Sequence, residues 1–269
     1  MPEQTVRFGV IGCGLMGREF ASASLRWLHL TQDLPRPEII AACDTSEANL
    51  EWFRRDPDTK YFYRDYHELL QNPEVEAVYA AVPHHLHAKV YGDVISAGKH
   101  LIGEKPFGLD LEAFGEIQAA MDEHPEVLVR CSSEFPFYPA VQKMIEWYKE
   151  GAFGQIIEAK FAIKHSSDMD LTKPINWKRT LSANGEYGCM GDLGIHTHHL
   201  PFRLGMRPTS VSAQLANIAK FRPDKEGNLV PCETWDNAIL LCDGTNEAGD
   251  EFPLTFEMKR MAPGCTNTV

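Results

Sequence analysis

Short apolar runs alternate with amphipathic stretches along the first half of the chain. Apolar runs bounded by turn-forming residues indicate buried strands, whereas apolar side chains that recur every three or four positions indicate helices. This pattern predicts strands at 6–11, 38–43, 61–63, 75–82, 101–104 and 127–131. It predicts helices between most of them, at 15–28, 47–55, 67–70, 87–97 and 111–121. Alternation of strand and helix is typical of a parallel sheet with helices on both faces.

The pattern changes after about residue 133, where longer stretches with partial alternation of apolar and polar residues begin. We predict strands at 155–164, 210–219, 237–242 and 252–259, with helices at 140–148 and at about 189–204. Partial alternation is typical of a sheet with one covered face, so we expect a mostly antiparallel sheet in a second, α+β domain. Residues 263–269 follow the last predicted strand directly, without the pattern of a further closing element.

The charge balance argues against polyanionic partners. The 269 residues include 26 basic and 38 acidic side chains, a net charge of −12, and no basic cluster stands out, so we expect no nucleic-acid or membrane partner.

Seven cysteines without C-x-x-C spacing are interpreted as reduced, mostly buried thiols. The first residues lack the pattern of a signal peptide and no apolar run could span a bilayer, which favours the cytoplasm.

A glycine motif, Gly12-x-Gly14-x-x-Gly17, lies between the first predicted strand and the first predicted helix. Gly12 permits a tight turn, Gly14 lets the backbone approach a pyrophosphate, and Gly17 lets the helix pack closely on the strand. The helix start, with Leu15 and Met16, supplies amide donors and a favourable dipole. A role in turn formation and packing alone is the alternative, but the strand, turn and helix context favours dinucleotide binding.

Asp44 ends the second predicted strand, where a carboxylate can accept hydrogen bonds from the adenosine ribose hydroxyls and would repel a 2′-phosphate. This position favours NAD over NADP. Asp44 lies 27 residues beyond Gly17 rather than about 20, and the polar, proline-containing stretch 31–37 accounts for the difference. Asp44 could also cap the following helix, a role for which Ser46 competes.

Lys105 stands immediately after a short apolar strand, within Glu104-Lys105-Pro106. Ligands of open α/β sheets bind beyond the carboxyl ends of the strands, so a lysine there can point at a bound molecule. The alternative is a solvated loop lysine, and this segment alone does not separate the two interpretations.

Asp192 and His196 are four residues apart in the helix predicted for the second domain, and therefore share one face. A carboxylate beside an imidazole can orient a ring that takes a proton from a hydroxyl group. A helix-start aspartate and a half-buried histidine are the alternative, which we favour in the absence of a partner motif.

Other histidines raise the question of a metal, but no acidic or cysteine spacing completes a ligand set, and we predict no metal site. They are His84, His85, His87, His198 and His199.

Five motifs in this order resemble those of the glucose-fructose oxidoreductase / inositol dehydrogenase (Gfo/Idh/MocA) family. They are Gly12-x-Gly14-x-x-Gly17, Val82-Pro83 followed by His87, Ala97-Gly98-Lys99-His100, Glu104-Lys105-Pro106 and Gly191-Asp192-x-Gly194-x-His196. The resemblance covers residues from about 6 to 215 and implies the α/β class. The expected parts are a Rossmann-type parallel sheet that binds NAD(P), over 1–132, and an α+β domain with an open, mostly antiparallel sheet, over 133–269. Relatives continue past the position of Val269, so the chain looks short or truncated for this family.

The resemblance also implies NAD-dependent hydride transfer that involves a secondary alcohol of a sugar, cyclitol or glycoside. Lys105 would touch the nicotinamide ribose and the substrate, His196 would accept the proton, and Asp192 would hold the substrate hydroxyl or the histidine. The second domain would bind the substrate, and the flat face of its open sheet would form the interface of a homo-oligomer. Further cofactor-binding residues would be Pro83, His87 and Glu104.

Two departures from the family leave the substrate open. His199 stands where many relatives carry an aspartate, and the segment 133–139 is aromatic and apolar where many carry an arginine. A redox-neutral enzyme that cleaves glycosides by transient oxidation, elimination and return of the hydride would use the same residues. A non-catalytic sensor that binds nucleotide is a third hypothesis, against which the retention of Lys105, Asp192 and His196 argues.

Overall fold

The computed structural model describes residues 4–264 and the backbone of residues 266–268. The chain divides into two compact units, Met1–Ser132 and Ser133–Val269. The prediction of a reduced thiol at Cys265 lies outside the described side chains, whereas the other six cysteines are free. No helix in the described ranges is both long and apolar enough to cross a bilayer.

The first unit alternates strands with helices. Its strands are β1 (Thr5–Ile11), β2 (Arg36–Cys43), β3 (Tyr61–Tyr63), β4 (Ala77–Ala80), β5 (His100–Glu104) and β6 (Val129–Ser132). Its helices are α1 (Leu15–Leu25), α2 (Glu47–Phe53), α3 (Tyr66–Gln71), α4 (His87–Ser96) and α5 (Leu111–Glu123). The helix predicted at 15–28 is α-helical as far as Leu25 and continues as a three-ten turn, Arg26–His29.

All neighbouring strands of this unit are parallel, in the order β3-β2-β1-β4-β5-β6, which confirms the predicted parallel sheet. The strands are apolar on both sides because helices cover both faces, and Val10, Val78 and Leu101 are at most 1% exposed. The order reverses at β1, which pairs with β2 on one side and β4 on the other. In such sheets the ligand crevice lies beyond the carboxyl ends of the strands at this reversal.

The second unit combines helices with a mixed sheet. Its helices are α6 (Pro139–Lys149), α7 (Leu181–Asn184) and α8 (Cys189–Arg203). Its strands are β7 (Ala159–His165), β8 (Arg207–Ala216), β9 (Phe221–Pro223), β10 (Leu229–Pro231), β11 (Asn237–Thr245), β12 (Glu251–Lys259) and β13 (Thr266–Thr268). In the main sheet, of order β13-β7-β12-β11-β8, β7 and β12 are parallel and the other neighbours are antiparallel. This confirms the prediction of a mostly antiparallel sheet.

Some details predicted for the second sheet are wrong. The strand β13 pairs with β7 in the antiparallel direction, so a further strand does follow β12, where no closing element was expected. The strand β7 begins at Ala159 rather than at 155, and β8 begins at Arg207 rather than at 210. Proline within β8, at Pro208, is tolerated because β8 is an edge strand, a position that the sequence pattern does not reveal.

Helix α8 packs on the covered face of this sheet and carries Asp192 and His196. Leu193 of the helix lies in the same apolar core as Phe256 of β12. The ring of His198 stacks on Phe256, with 4.1 Å between the ring centroids. These contacts fix the rotation of α8 about its axis, which decides the faces on which Asp192 and His196 lie.

A buried ion-pair network joins the segment before α7 to the start of β11. Arg179, 1% exposed, pairs with the fully buried Asp236 and with Asp168, the latter at 2.6 Å. The other carboxylate oxygen of Asp236 accepts hydrogen bonds from the backbone N–H groups of Ile218 at 2.6 Å and Ala219 at 2.8 Å. Buried charges are tolerated only when they are paired and hydrogen-bonded, so the members of this network depend on each other.

We expect Asp236→Ala to destabilise the second unit by about 3–5 kcal/mol, because Arg179 would lose a buried partner and two N–H groups their acceptor. The control is Glu158→Ala, which breaks the exposed 3.2 Å pair with Lys160 and should cost at most about 1 kcal/mol. Urea unfolding followed by tryptophan fluorescence measures both values. Equal losses in the two variants would contradict the role assigned to the network.

Candidate active site

The glycine motif forms the turn between β1 and α1. Gly12 has a φ of +92°, and a Cβ there would lie 2.2 Å from the carbonyl oxygen of Ala81. A Cβ at Gly17 would lie 2.2 Å from the carbonyl oxygen of Gly12. A Cβ at Gly14 would meet no described atom within 4 Å. Gly12 and Gly17 are therefore required for the turn itself, whereas Gly14 borders open space.

The start of α1 can present backbone N–H groups to this space. Among the described residues, no side chain caps the helix at Gly14, and its first turn contains no acidic residue. Leu15 and Met16 are 74% and 44% exposed, so they are not packed into the core at the helix start. Free N–H groups and the positive end of the helix dipole attract anions. The turn therefore fits the pyrophosphate of a dinucleotide.

Asp44 follows β2 beside the glycine turn. Its Oδ2 accepts hydrogen bonds from the backbone N–H of Cys13 at 2.8 Å and from the side-chain amide of Asn49 at 3.1 Å. Its Oδ1 accepts one from the backbone N–H of Ser46 at 2.7 Å. Ser46 is the N-cap residue of α2 but makes no side-chain cap, so Asp44 supports the start of α2 as well as the glycine turn. This support is compatible with ribose binding, since ribose-binding acids stand at the same strand end.

His87, at the start of α4, is fully buried. Its Nδ1 lies 2.7 Å from the carbonyl oxygen of Pro106, and its Nε2 lies 2.9 Å from that of Val82. Burial lowers the pKa of the ring to about 4, so the ring is uncharged at neutral pH. A neutral ring carries one N–H and donates to only one of these carbonyl oxygens, but the ring lies between the segments that follow β4 and β5. We expect any contribution of His87 to cofactor binding to act through this backbone, which includes Pro83.

Glu104 and Lys105 stand at the carboxyl end of β5, next to β4 in the sheet. Glu104 is 7% exposed and accepts a hydrogen bond from the hydroxyl group of Tyr79 at 2.6 Å. The hydroxyl group of Tyr91 donates to the backbone carbonyl of Glu104 at 2.7 Å. Lys105 follows directly and is joined to Pro106 by a cis peptide bond. Two buried tyrosines therefore fix the strand end at which Lys105 lies.

Asp192 is 2% exposed and lies between two cations. The Nζ of Lys178 lies 3.1 and 3.0 Å from the two carboxylate oxygens, and the Nη2 of Arg260 lies 3.2 Å from Oδ2. Arg260 is 1% exposed and also donates to the carbonyl oxygen of Gly188, at the start of α8, at 3.4 Å. Sequence reasoning missed both cations, because they lie 14 and 68 residues from Asp192 along the chain and no spacing rule connects them.

His196 follows Asp192 by about one helical turn, and its ring packs edge-on against Phe135 with 4.6 Å between centroids. Burial lowers the pKa of His198 and is the main cause that lowers the pKa of the half-buried His199. Among the described residues, no group of histidine, cysteine, aspartate and glutamate side chains is arranged to hold a metal ion. The structure thus places His196, the histidine predicted for proton transfer, on α8 beside the ring of Phe135.

Comparison with family models and curated proteins gives consistent matches. Residues 6–131 match an oxidoreductase family model with an NAD-binding Rossmann fold, and residues 141–264 match a GFO/IDH/MocA C-terminal domain. The chain is 30% identical over 256 residues to an oxidoreductase of Synechocystis sp., which covers 94% of this chain and 66% of that protein. It is 26% identical over 232 residues to the levoglucosan dehydrogenase of Pseudarthrobacter phenanthrenivorans, which covers 83% of this chain and 57% of that protein. The chain thus spans about three fifths of the length of these relatives.

Solved structures show the same fold. An oxidoreductase domain protein from Kribbella flavida matches with a TM-score of 0.87 at 23% identity, over 98% of this chain and 69% of that chain. A levoglucosan dehydrogenase in complex with NADH and levoglucosan matches with a TM-score of 0.87 at 23% identity, over the same shares of 98% and 69%. These matches confirm the expected fold class.

We expect Gly14→Ala to fold normally, because the added methyl group enters open space, and to bind NAD at least about tenfold more weakly, because it obstructs the approach to the helix start. Gly17→Ala should instead lower the melting temperature, since its Cβ would lie 2.2 Å from the carbonyl oxygen of Gly12. Thermal unfolding and calorimetric titration with NAD separate these effects. A Gly14→Ala variant that binds NAD as tightly as the unaltered protein would refute the assignment.

Proposed function

Because the chain belongs to the Gfo/Idh/MocA oxidoreductase family and its first unit has the NAD-binding Rossmann fold, we propose that it is an NAD-dependent dehydrogenase of a secondary alcohol in a sugar, cyclitol or glycoside. The family and the cofactor agree with the expectations drawn from the five motifs. One observation carries the proposal: Lys105 ends a strand of the same parallel sheet whose glycine turn is open to a dinucleotide. A relative named as a levoglucosan dehydrogenase supports a polyhydroxylated substrate.

Three side chains have separate roles in the proposed reaction. Lys105 places a positive charge beside the reacting oxygen and stabilises the negative charge that develops there. His196 accepts the proton of the hydroxyl group, or returns it when the reaction runs in reverse. Asp192, which Lys178 and Arg260 hold in place, orients the substrate hydroxyl or the imidazole. When bound, NAD supplies the acceptor for the hydride.

For the cofactor, we propose that the backbone N–H groups of Gly14, Leu15 and Met16 bind the pyrophosphate and that Asp44 binds the adenosine ribose. The start of α1 supports the first role, and the position of Asp44 beside the glycine turn supports the second. The other three proposed cofactor-binding residues are Pro83, His87 and Glu104. The side chains of His87 and Glu104 are buried, so we propose that these residues act by shaping the backbone at the same edge of the sheet.

We expect Lys105→Ala and His196→Ala each to lower kcat/KM by roughly 10²–10⁴-fold, the range for loss of a charge-stabilising group or of a general base. NAD affinity in His196→Ala should change little. The control is Lys60→Ala, an exposed lysine of the first unit, which should retain full activity. Absorbance of NADH, recorded with a panel of sugars, cyclitols and glycosides, measures the reaction.

The same assay separates the other two hypotheses. Release of an aglycone without net formation of NADH would replace the proposal by redox-neutral glycoside cleavage. A biological effect that persists in both variants, together with silence across the panel, would replace it by a nucleotide-binding sensor.

We also propose that residues 1–132 form the cofactor domain and that residues 133–269 form the domain for substrate binding and oligomerisation. The sheet face opposite α8 supports the second role, because it carries Leu241, which is 58% exposed. Beside it lies the ion-paired group of Lys164, Glu257 and Lys259. An exposed apolar residue bordered by polar and charged ones agrees with the apolar centre and polar rim of protein interfaces. Because the six described cysteines are free, we place the protein in the reducing cytoplasm.

We expect Leu241→Glu to shift the protein to a smaller species in sedimentation velocity, because it would bury a charge in the proposed interface. Val211 is 64% exposed on the other face of the sheet, and Val211→Glu should leave the sedimentation coefficient unchanged. A monomeric unaltered protein would refute the proposed interface.

A further inference from the structure

Asn49 joins two groups of opposite charge at the carboxyl edge of the first unit. Its Nδ2 donates a hydrogen bond to Oδ2 of Asp44 at 3.1 Å, and its Oδ1 accepts one from Nη2 of Arg18 at 3.2 Å. Arg18 lies in α1, one residue beyond Gly17. A single side-chain amide therefore stands between the carboxylate proposed to bind ribose and a guanidinium group.

The two charges fix the orientation of this amide. If the amide group of Asn49 were rotated by 180°, its NH2 group would face the guanidinium group and its oxygen would face the carboxylate. Both pairs of groups would then repel each other. An aspartate at this position would repel Asp44, and an apolar residue would bond to neither charge. The amide of Asn49 forms hydrogen bonds to the carboxylate and to the guanidinium group at the same time and keeps these two charged groups apart.

The carboxylate of Asp44 is surrounded by neutral donors. They are the backbone N–H groups of Cys13 and Ser46 and the amide of Asn49, at 2.7 to 3.1 Å. Neutral donors orient a carboxylate without cancelling its charge, unlike a guanidinium. Asp44 therefore presents its negative charge at the strand end.

Arg18 is held away from Asp44. Its Nη2 donates a hydrogen bond to Asn49, its Cζ lies 5.6 Å from the centroid of the Trp52 ring, and its buried Nε has no hydrogen-bond partner among the described residues. Burial raises the pKa of the Cys13 thiol, Asp44 raises it further and Arg18 lowers it, so both charges act on the same part of the glycine turn. Only the side-chain amide of Asn49 stands between this guanidinium group and the carboxylate of Asp44 in the chain of hydrogen bonds that links them.

We propose that Asn49 determines the preference for NAD over NADP by keeping Arg18 from forming an ion pair with Asp44. The charge of Asp44 repels a 2′-phosphate, and an ion pair with Arg18 would cancel that repulsion. A guanidinium released from Asn49 would also be available to bind the phosphate. This inference rests on the proposed binding of the adenosine ribose by Asp44.

The test compares Asn49→Ala with the double variant Asn49→Ala/Arg18→Ala by calorimetric titration with NADH and NADPH. In Asn49→Ala, the Kd for NADH should rise and the Kd for NADPH should fall, so that their ratio changes by about tenfold or more. The double variant lacks the competing cation as well as the amide. The Kd of the double variant for NADPH should therefore rise again, because no guanidinium group is left to pair with the carboxylate of Asp44.

Glu51→Ala is the control on the same helix, since Glu51 is 70% exposed and pairs with Arg54, and it should leave both Kd values unchanged. Alanine favours helix more than asparagine does, so Asn49→Ala should keep its melting temperature. An unchanged ratio of the two Kd values in Asn49→Ala, or equal weakening of both cofactors, would overturn this inference but not the proposed function. Failure of the unaltered protein to bind either cofactor would overturn both.

Discussion

The parallel pairing of β1 with β2 and with β4 is the constraint on which the first unit depends. Parallel strands all end at one edge of a sheet, so residues that are far apart in the sequence come together there. The glycine turn follows β1, Asp44 follows β2, Pro83 follows β4 and Lys105 follows β5. The apolar strands hold this edge because helices cover both of their faces. A change of register in any one of these four strands would therefore move a proposed site residue rather than only a loop.

Buried polar contacts support this edge from within. The neutral ring of His87 donates its one N–H to the carbonyl oxygen of Val82 or of Pro106, and the hydroxyl group of Tyr79 donates to the carboxylate of Glu104. A buried polar group that loses its partner destabilises the fold by about 1–3 kcal/mol, so such contacts select one arrangement of the backbone. These buried side chains thereby fix the segments that carry Pro83 and Lys105.

Much of this edge could be predicted from the sequence, because the signals are local. The period of the apolar residues separates strands from helices, and a lysine directly after an apolar run must lie at a strand end, as Lys105 does. The partners of Asp192 could not be predicted. Lys178 and Arg260 lie on other segments of the chain. The period of the apolar residues predicts the helix face on which a residue lies, but not the side chains that it contacts there. Strand β13 was missed because its three residues, Thr266–Thr268, are all polar and form no apolar run, unlike the equally short β3.

The two carboxylates proposed for function have opposite surroundings. The donors described at Asp44 are neutral backbone and amide groups, whereas those at Asp192 include the cations Lys178 and Arg260. An uncompensated charge at Asp192 would oppose the loss of a proton from a neighbouring hydroxyl group, because the oxygen that results is also negative. If Asp192 holds the substrate hydroxyl rather than the imidazole, as one of its two proposed roles requires, its compensation by two cations removes this opposition to ionisation. The neutral donors at Asp44 and the cations at Asp192 therefore agree with the different roles proposed for the two acids.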